Sequence, residues 1–143
     1  MENDKNTYLQ MIQEPINRMS TMSSIYKGFC STIVAGITGL SLGENSNIFV
    51  VVLSFLPVLA FASLDIYYLM LERGFRYLYE QVASGEHECN YKMDPIRIGN
   101  VTEMKKAKAT VVDCIKSPSF WLFYPLMFAI IIIVIVLKIV GSI

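Results

Sequence analysis

Few residues in this chain have the chemistry for a site. The stretch LDIYYLMLERGFRYLYEQV, residues 64–82, sets Asp65, Glu72, Arg73 and Arg76 among five aromatic side chains. Lys105, Lys106 and Lys108 cluster further on. These lysines have three outlets: anionic lipid heads, a solvated surface, or a phosphate-bearing ligand. Residues 71–117 carry eight Lys or Arg against seven Asp or Glu, so a basic site there must be local. His87, the one histidine, stands two residues before Cys89. Two ligands make no metal site, and exposed loop residues are the plainer reading of that pair. No nucleophile beside a base, no metal cluster and no phosphate-cradling glycine loop is visible, so neither catalysis nor a cofactor is expected.

Composition points to the elements that must position these residues. The 143 residues are 54% hydrophobic and 17% charged, too apolar for a soluble domain of that length. Formal net charge is zero, which excludes a global field for nucleic acid. Cys30, Cys89 and Cys114 are odd in number and lack metal or redox spacing, so they read as reduced thiols. The first 24 residues are polar and show no secretory h-region.

Three segments read as membrane spans. Residues 120–137, FWLFYPLMFAIIIIVIVL, are uncharged, and residues 117–119 and 138–140 bring the segment to the roughly 20 residues a span needs. Pro125 near its start is a tolerable kink. Residues 48–64, IFVVVLSFLPVLAFASL, form a second span that continues to Leu71 and should bend at Pro57. Residues 28–42, GFCSTIVAGITGLSL, form a shorter and more polar third, joined to the second by a turn at residues 43–47. Eleven of the twelve Lys and Arg fall before the hairpin or between residues 72 and 117, and only Lys138 follows the last span. The positive-inside rule then puts the N-terminus in the cytosol and the C-terminus outside.

On this topology Asp65 lies about 26 Å along the helix from Ile48, at the inner edge of a roughly 30 Å hydrocarbon core. Tyr67 and Tyr68 sit at headgroup level. The helix then projects into the cytosol, with Glu72 and Arg76 spaced for an ion pair. Tyr68, Phe75 and Tyr79 share a face that should pack on a neighbouring subunit or on the N-terminal segment. In that segment, residues 8–26, Leu9, Ile12, Ile16 and Met19 recur at helical steps opposite Gln10, Gln13, Asn17 and Arg18. It either lies on the membrane or packs beside the extension of the second helix and runs on into the first span. Residues 84–99 read as a loop. Asn100 with Glu103 reads as a capping box opening a helix whose apolar stripe is Met104, Ala107, Val111 and Ile115.

In the first span Ser31, Ala35, Gly39 and Gly43 repeat every four residues, beside Gly28, Thr32 and Gly36. Small residues at that spacing let helix backbones approach closely in lipid. Self-association of four or more chains along this face would place the hydroxyls of Ser31, Thr32 and Thr38 around a path. Tight packing in a non-conducting bundle accounts for the same residues. The organisation is therefore all-α: a cytosolic amphipathic helix (1–27), a transmembrane hairpin (28–71), a cytosolic helical and loop region (72–117) and a terminal transmembrane helix (118–143).

The YLQMIQEPINRM segment, the short hairpin, and the pattern Asp65, Tyr67, Tyr68, Glu72, Arg73, Arg76, Tyr79 resemble small membrane effectors of bacterial anti-phage operons. The similarity extends to Hailong-like, CBASS-like and SLATT-type systems, and to RipA-like oligomeric membrane proteins. It implies a homo-oligomeric ion channel in the inner membrane, gated by a cyclic nucleotide or oligonucleotide from a partner nucleotidyltransferase. A Hailong-like effector implies a short DNA oligomer, for which Arg73, Arg76, Lys105, Lys106 and Lys108 would supply phosphate contacts and Tyr77 and Tyr79 stacking. A RipA-like protein implies a structural scaffold instead.

Asp65 is the natural latch for such a protein. Lys27, just before the first span, falls at similar depth and would tie the two ends of the hairpin together, with Pro57 as hinge. Wetting of Asp65 by headgroup water is the alternative.

Overall fold

The computed structural model describes residues 2–43, 47–95 and 100–141. It is all-helical over these residues, with no strand. The elements are α1 (Glu2–Ser41), α2 (Ile48–Leu53), α3 (Phe55–Ser84), α4 (Val101–Lys106), α5 (Val111–Ile115) and α6 (Pro118–Ile139). Among the described residues two helical stretches, Ile48–Ser84 and Val101–Ile139, are long and apolar enough to cross a membrane. Three residues of the expected turn at 43–47 (Glu44, Asn45 and Ser46) and Arg97 of the cation tally lie outside the described residues.

The chain divides into two compact units. The first comprises Met1–Ser23 and Ile66–Ile115. Its core sets Tyr8, Ile12, Ile16 and Met19 of α1 against Phe75, Leu78 and Val82 of α3. Tyr68 and Tyr79 pack at the edge, so the aromatic face of residues 68–79 meets the N-terminal segment of its own chain. Leu9, placed on the apolar face by sequence, is only partly buried, and Tyr8 takes the central position. Pro15 lies within α1 without ending it. The carbonyl deprived of a donor is that of Met11, an exposed residue.

Two side chains fasten the unit's ends. Lys5 Nζ donates to the Ala83 carbonyl at 2.7 Å, a cation where the α3 dipole is negative. Tyr8 Oη donates to the Lys92 carbonyl at 2.6 Å, and its ring lies 5.5 Å from that of Tyr91. Residues 90–92 are thereby held against α1. Gly85, with φ +83°, closes α3: its N–H reaches the Val82 carbonyl and the His87 N–H reaches that of Gln81.

The single helix expected after Asn100 is two short ones. The Asn100 side chain makes no capping bond, so the expected box with Glu103 does not form. Lys108 adopts φ +50°, a left-handed conformation that stops α4. A side-chain cap forms later, where Thr110 Oγ1 donates to the Asp113 carboxylate and accepts from the Asp113 N–H at 3.3 Å. The break changes which residues are buried: Met104, Ala109 and Cys114 are inside, while Val111 and Ile115 of the expected stripe are exposed.

The second unit comprises Ser24–Asp65 and Lys116–Ile143. Cys30, Val34, Val51, Val58, Tyr124 and Ile131 form its core, with a Phe55–Phe128 ring pair at 5.6 Å. The expected bend at Pro57 is a break three residues earlier, at Ser54. Proline removes the N–H that would bond the Leu53 carbonyl and its ring crowds that oxygen, so the helix parts there and Pro57 sits in the first turn of α3. At the end of α1, Lys138 Nζ donates to the Ser41 carbonyl.

Candidate functional site

The charged residues of α3 lie on a helix whose exposed face is set by the burial of Phe75, Leu78 and Val82 on the other. Arg73, Arg76, Tyr77 and Glu80 share that face at three- and four-residue steps. They line a cavity of about 360 Å³ together with Lys106, Ala107 and Lys108. Four cations and one aromatic ring therefore converge, with one carboxylate among them. Arg73 Nη1 donates to the Lys108 carbonyl, so the guanidinium fixes the strained residue. Arg76 is oriented by Glu72, whose Oε1 accepts from Nε and Nη2, both at 2.8 Å. Lys106 and Lys108 are exposed. The arrangement suits an anionic group spread over several oxygens, with Tyr77 as a stacking surface.

Two residues of the expected ligand set lie elsewhere. Lys105 does not line this cavity. Tyr79 lines a neighbouring groove with Gln13, Asn17 and Arg76. Tyr79 lies two residues beyond Tyr77, about 200° round the helix, and so points away from the side that Tyr77 takes. Glu80, absent from the sequence reading, was legible as the i+4 neighbour of Arg76.

The second unit holds the other cluster. Lys27 Nζ lies 2.8 Å from Asp65 Oδ2, and the Asp65 side chain is 1% exposed. The Tyr124 hydroxyl donates to the Phe61 carbonyl at 3.2 Å and also faces Asp65. The ring of Tyr26 stands 6.2 Å from that of Phe61. Three helices thus meet at one polar centre in the unit whose core holds Cys30, Val58 and Phe123. Tyr124 was missed from sequence. Its signal was the lone hydroxyl of residues 120–137, which needs a partner when buried.

The small-residue set of α1 divides. Thr38 is buried, and its hydroxyl donates to the Val34 carbonyl at 2.7 Å. Ser31 and Thr32 both donate to the Gly28 carbonyl at 2.9 Å. Thr32, Ala35, Gly36 and Gly39 are exposed, and a Cβ added at Gly36 or Gly39 would meet nothing within 4 Å. The stripe buried within the chain is Cys30, Val34, Thr38 and Ser41 instead. Pro57 lies apart from these hydroxyls in chain position, in the first turn of α3.

Compared with models of protein families, with characterised proteins and with solved structures, the chain matches none.

Proposed function

We propose that this chain is a three-span, homo-oligomeric channel of the bacterial inner membrane with its N-terminus in the cytosol. In this reading it is a non-enzymatic effector of anti-phage defence. A short oligonucleotide or cyclic nucleotide from a partner nucleotidyltransferase gates it. The observation that carries this reading is the cavity where Arg73, Arg76, Lys106 and Lys108 converge beside Tyr77. Cations at separate points and an aromatic face are what a single strand or a nucleotide requires. The third span is the second half of α1, whose exposed Phe29, Ile33 and Leu40 belong to the same compact unit as α6. These side chains would be covered by lipid or by other subunits. The open surface at Gly36 and Gly39 supports close approach of a second α1.

A scaffold is the second reading. It is favoured by the Ser31, Thr32 and Thr38 hydroxyls, whose protons are all directed to their own helix.

Reconstitution in liposomes separates the two. A channel should pass monovalent ions, and a six-nucleotide single strand on the cytosolic side should change the flux on the order of tenfold. Lys106→Gln with Lys108→Gln should weaken that response and flatten its salt dependence, because fewer phosphates are neutralised. Absence of flux with and without DNA would leave the scaffold.

A further inference from the structure

The segment 101–115 carries two inconsistent instructions. Met104, Ala107, Val111 and Ile115 have the spacing of one continuous amphipathic helix. The fold breaks that helix at Lys108, leaving Val111 at 47% and Ile115 at 39% exposure. Lys108 holds φ +50°, where a lysine gains nothing locally and glycine would be the ordinary occupant. Two contacts oppose the continuous form. Arg73 donates to the Lys108 carbonyl from α3, and Thr110 with Asp113 caps α5.

We propose that residues 101–115 are a two-state hinge, broken at Lys108 in this structure and continuous in a second state, with Arg73 holding the broken form. In the continuous form Lys108 returns to right-handed backbone and the Thr110–Asp113 cap is lost. Val111 and Ile115 rejoin the stripe of Met104 and Ala107. The hinge regulates the basic cavity, because Ala107 and Lys108 line it and their rearrangement dismantles it. An anion seated among Arg76, Lys106 and Lys108 therefore binds the broken form alone and shifts the population toward it. That last step rests on the function proposed above, whereas the hinge itself does not.

Spin labels report the two states directly. Val101→Cys and Ile115→Cys are placed in a Cys89→Ser background, since Cys89 is the exposed thiol among the three. A continuous helix separates the two backbone positions by about 21 Å. Arg73→Gln should raise the population at that separation on the order of tenfold, the value of a charge-assisted hydrogen bond. Thr110→Val should act in the same direction, and covers the case in which Arg73→Gln does not fold. Adding Lys108→Gly to Arg73→Gln should restore the broken form, because glycine accepts the left-handed conformation freely. Unchanged distances in both Arg73→Gln and Thr110→Val would overturn the hinge. Addition of a six-nucleotide single strand to Thr110→Val, which keeps all four cations of the cavity, should also restore the broken form. If the strand has no effect while the variant distances shift, the hinge stands and the oligonucleotide reading falls.

Discussion

Lys27 and Asp65, 38 positions apart in sequence, form an ion pair of 2.8 Å in which the carboxylate is 1% exposed. The pair joins α1 to α3 inside an apolar shell, and Tyr124 brings α6 to the same point. An ionisable side chain so placed is costly without its partner.

Removing one partner should therefore destabilise the fold by about 3 kcal/mol, the lower end for a broken buried pair. Asp65→Asn and Lys27→Gln should each lower the melting temperature in detergent. If the pair is a latch, each should also alter ion permeability in cells, and the double variant should resemble either single one. Normal assembly with unchanged permeability and phage protection would make the pair a packing element only.

Gly36→Leu and Gly39→Leu should leave the monomer fold intact, since the space above both is open within one chain. The same side chains would separate two α1 helices packed closely across that face. The expected result is unchanged helicity with a smaller particle mass in detergent. Unchanged mass for both variants would move the interface elsewhere.

Of the three thiols only Cys89 is exposed; Cys30 and Cys114 are buried. A membrane-impermeant maleimide should label one site per chain in inverted vesicles and none in intact spheroplasts, if the N-terminal and central polar parts are cytosolic. Labelling of Cys89 from outside would reverse the topology.

The Tyr8 contact should fail at high pH. Burial, and secondarily the neighbouring Cys89, raise the Tyr8 phenol above its usual value near 10. A raised acid pKa means that the fold favours the neutral phenol. The stability it contributes is complete below pH ~10 and is lost as pH rises through the higher folded value. Ionised, Tyr8 cannot donate to the Lys92 carbonyl. Protease sensitivity of residues 84–95 should rise above pH ~10 in the wild type. Tyr8→Phe should show that sensitivity already at neutral pH, after a loss of about 1 kcal/mol.

Several features were legible because their signals are local. The run at residues 120–137 is apolar throughout, and a helix there needs only length and composition. The Glu72–Arg76 pair follows from helical spacing alone. The core positions Ile12, Ile16 and Met19 follow from periodicity. Depth counting along two helices brought Lys27 and Asp65 to one level, although it could not say that they touch.

Other features were decided in three dimensions. Periodicity offered Val111 and Ile115 as buried, but the helix breaks at Lys108, whose carbonyl accepts from Arg73 35 residues away, and both side chains are exposed. Asn100 and Glu103 had the composition of a capping box, yet the side-chain cap formed at Thr110, where the chain re-entered a helix. Small residues on α1 marked one face for packing, while the chain buried Cys30, Val34, Thr38 and Ser41. A single helix presents several faces of similar polarity in an apolar segment, so hydropathy cannot rank them. Helix propensity, periodicity and charge spacing thus specified the helices and their polarity from the amino acids alone. Which faces meet, which cations share a cavity and where Lys108 breaks the backbone were settled by contacts between residues far apart in the chain, whose energies no local pattern encodes.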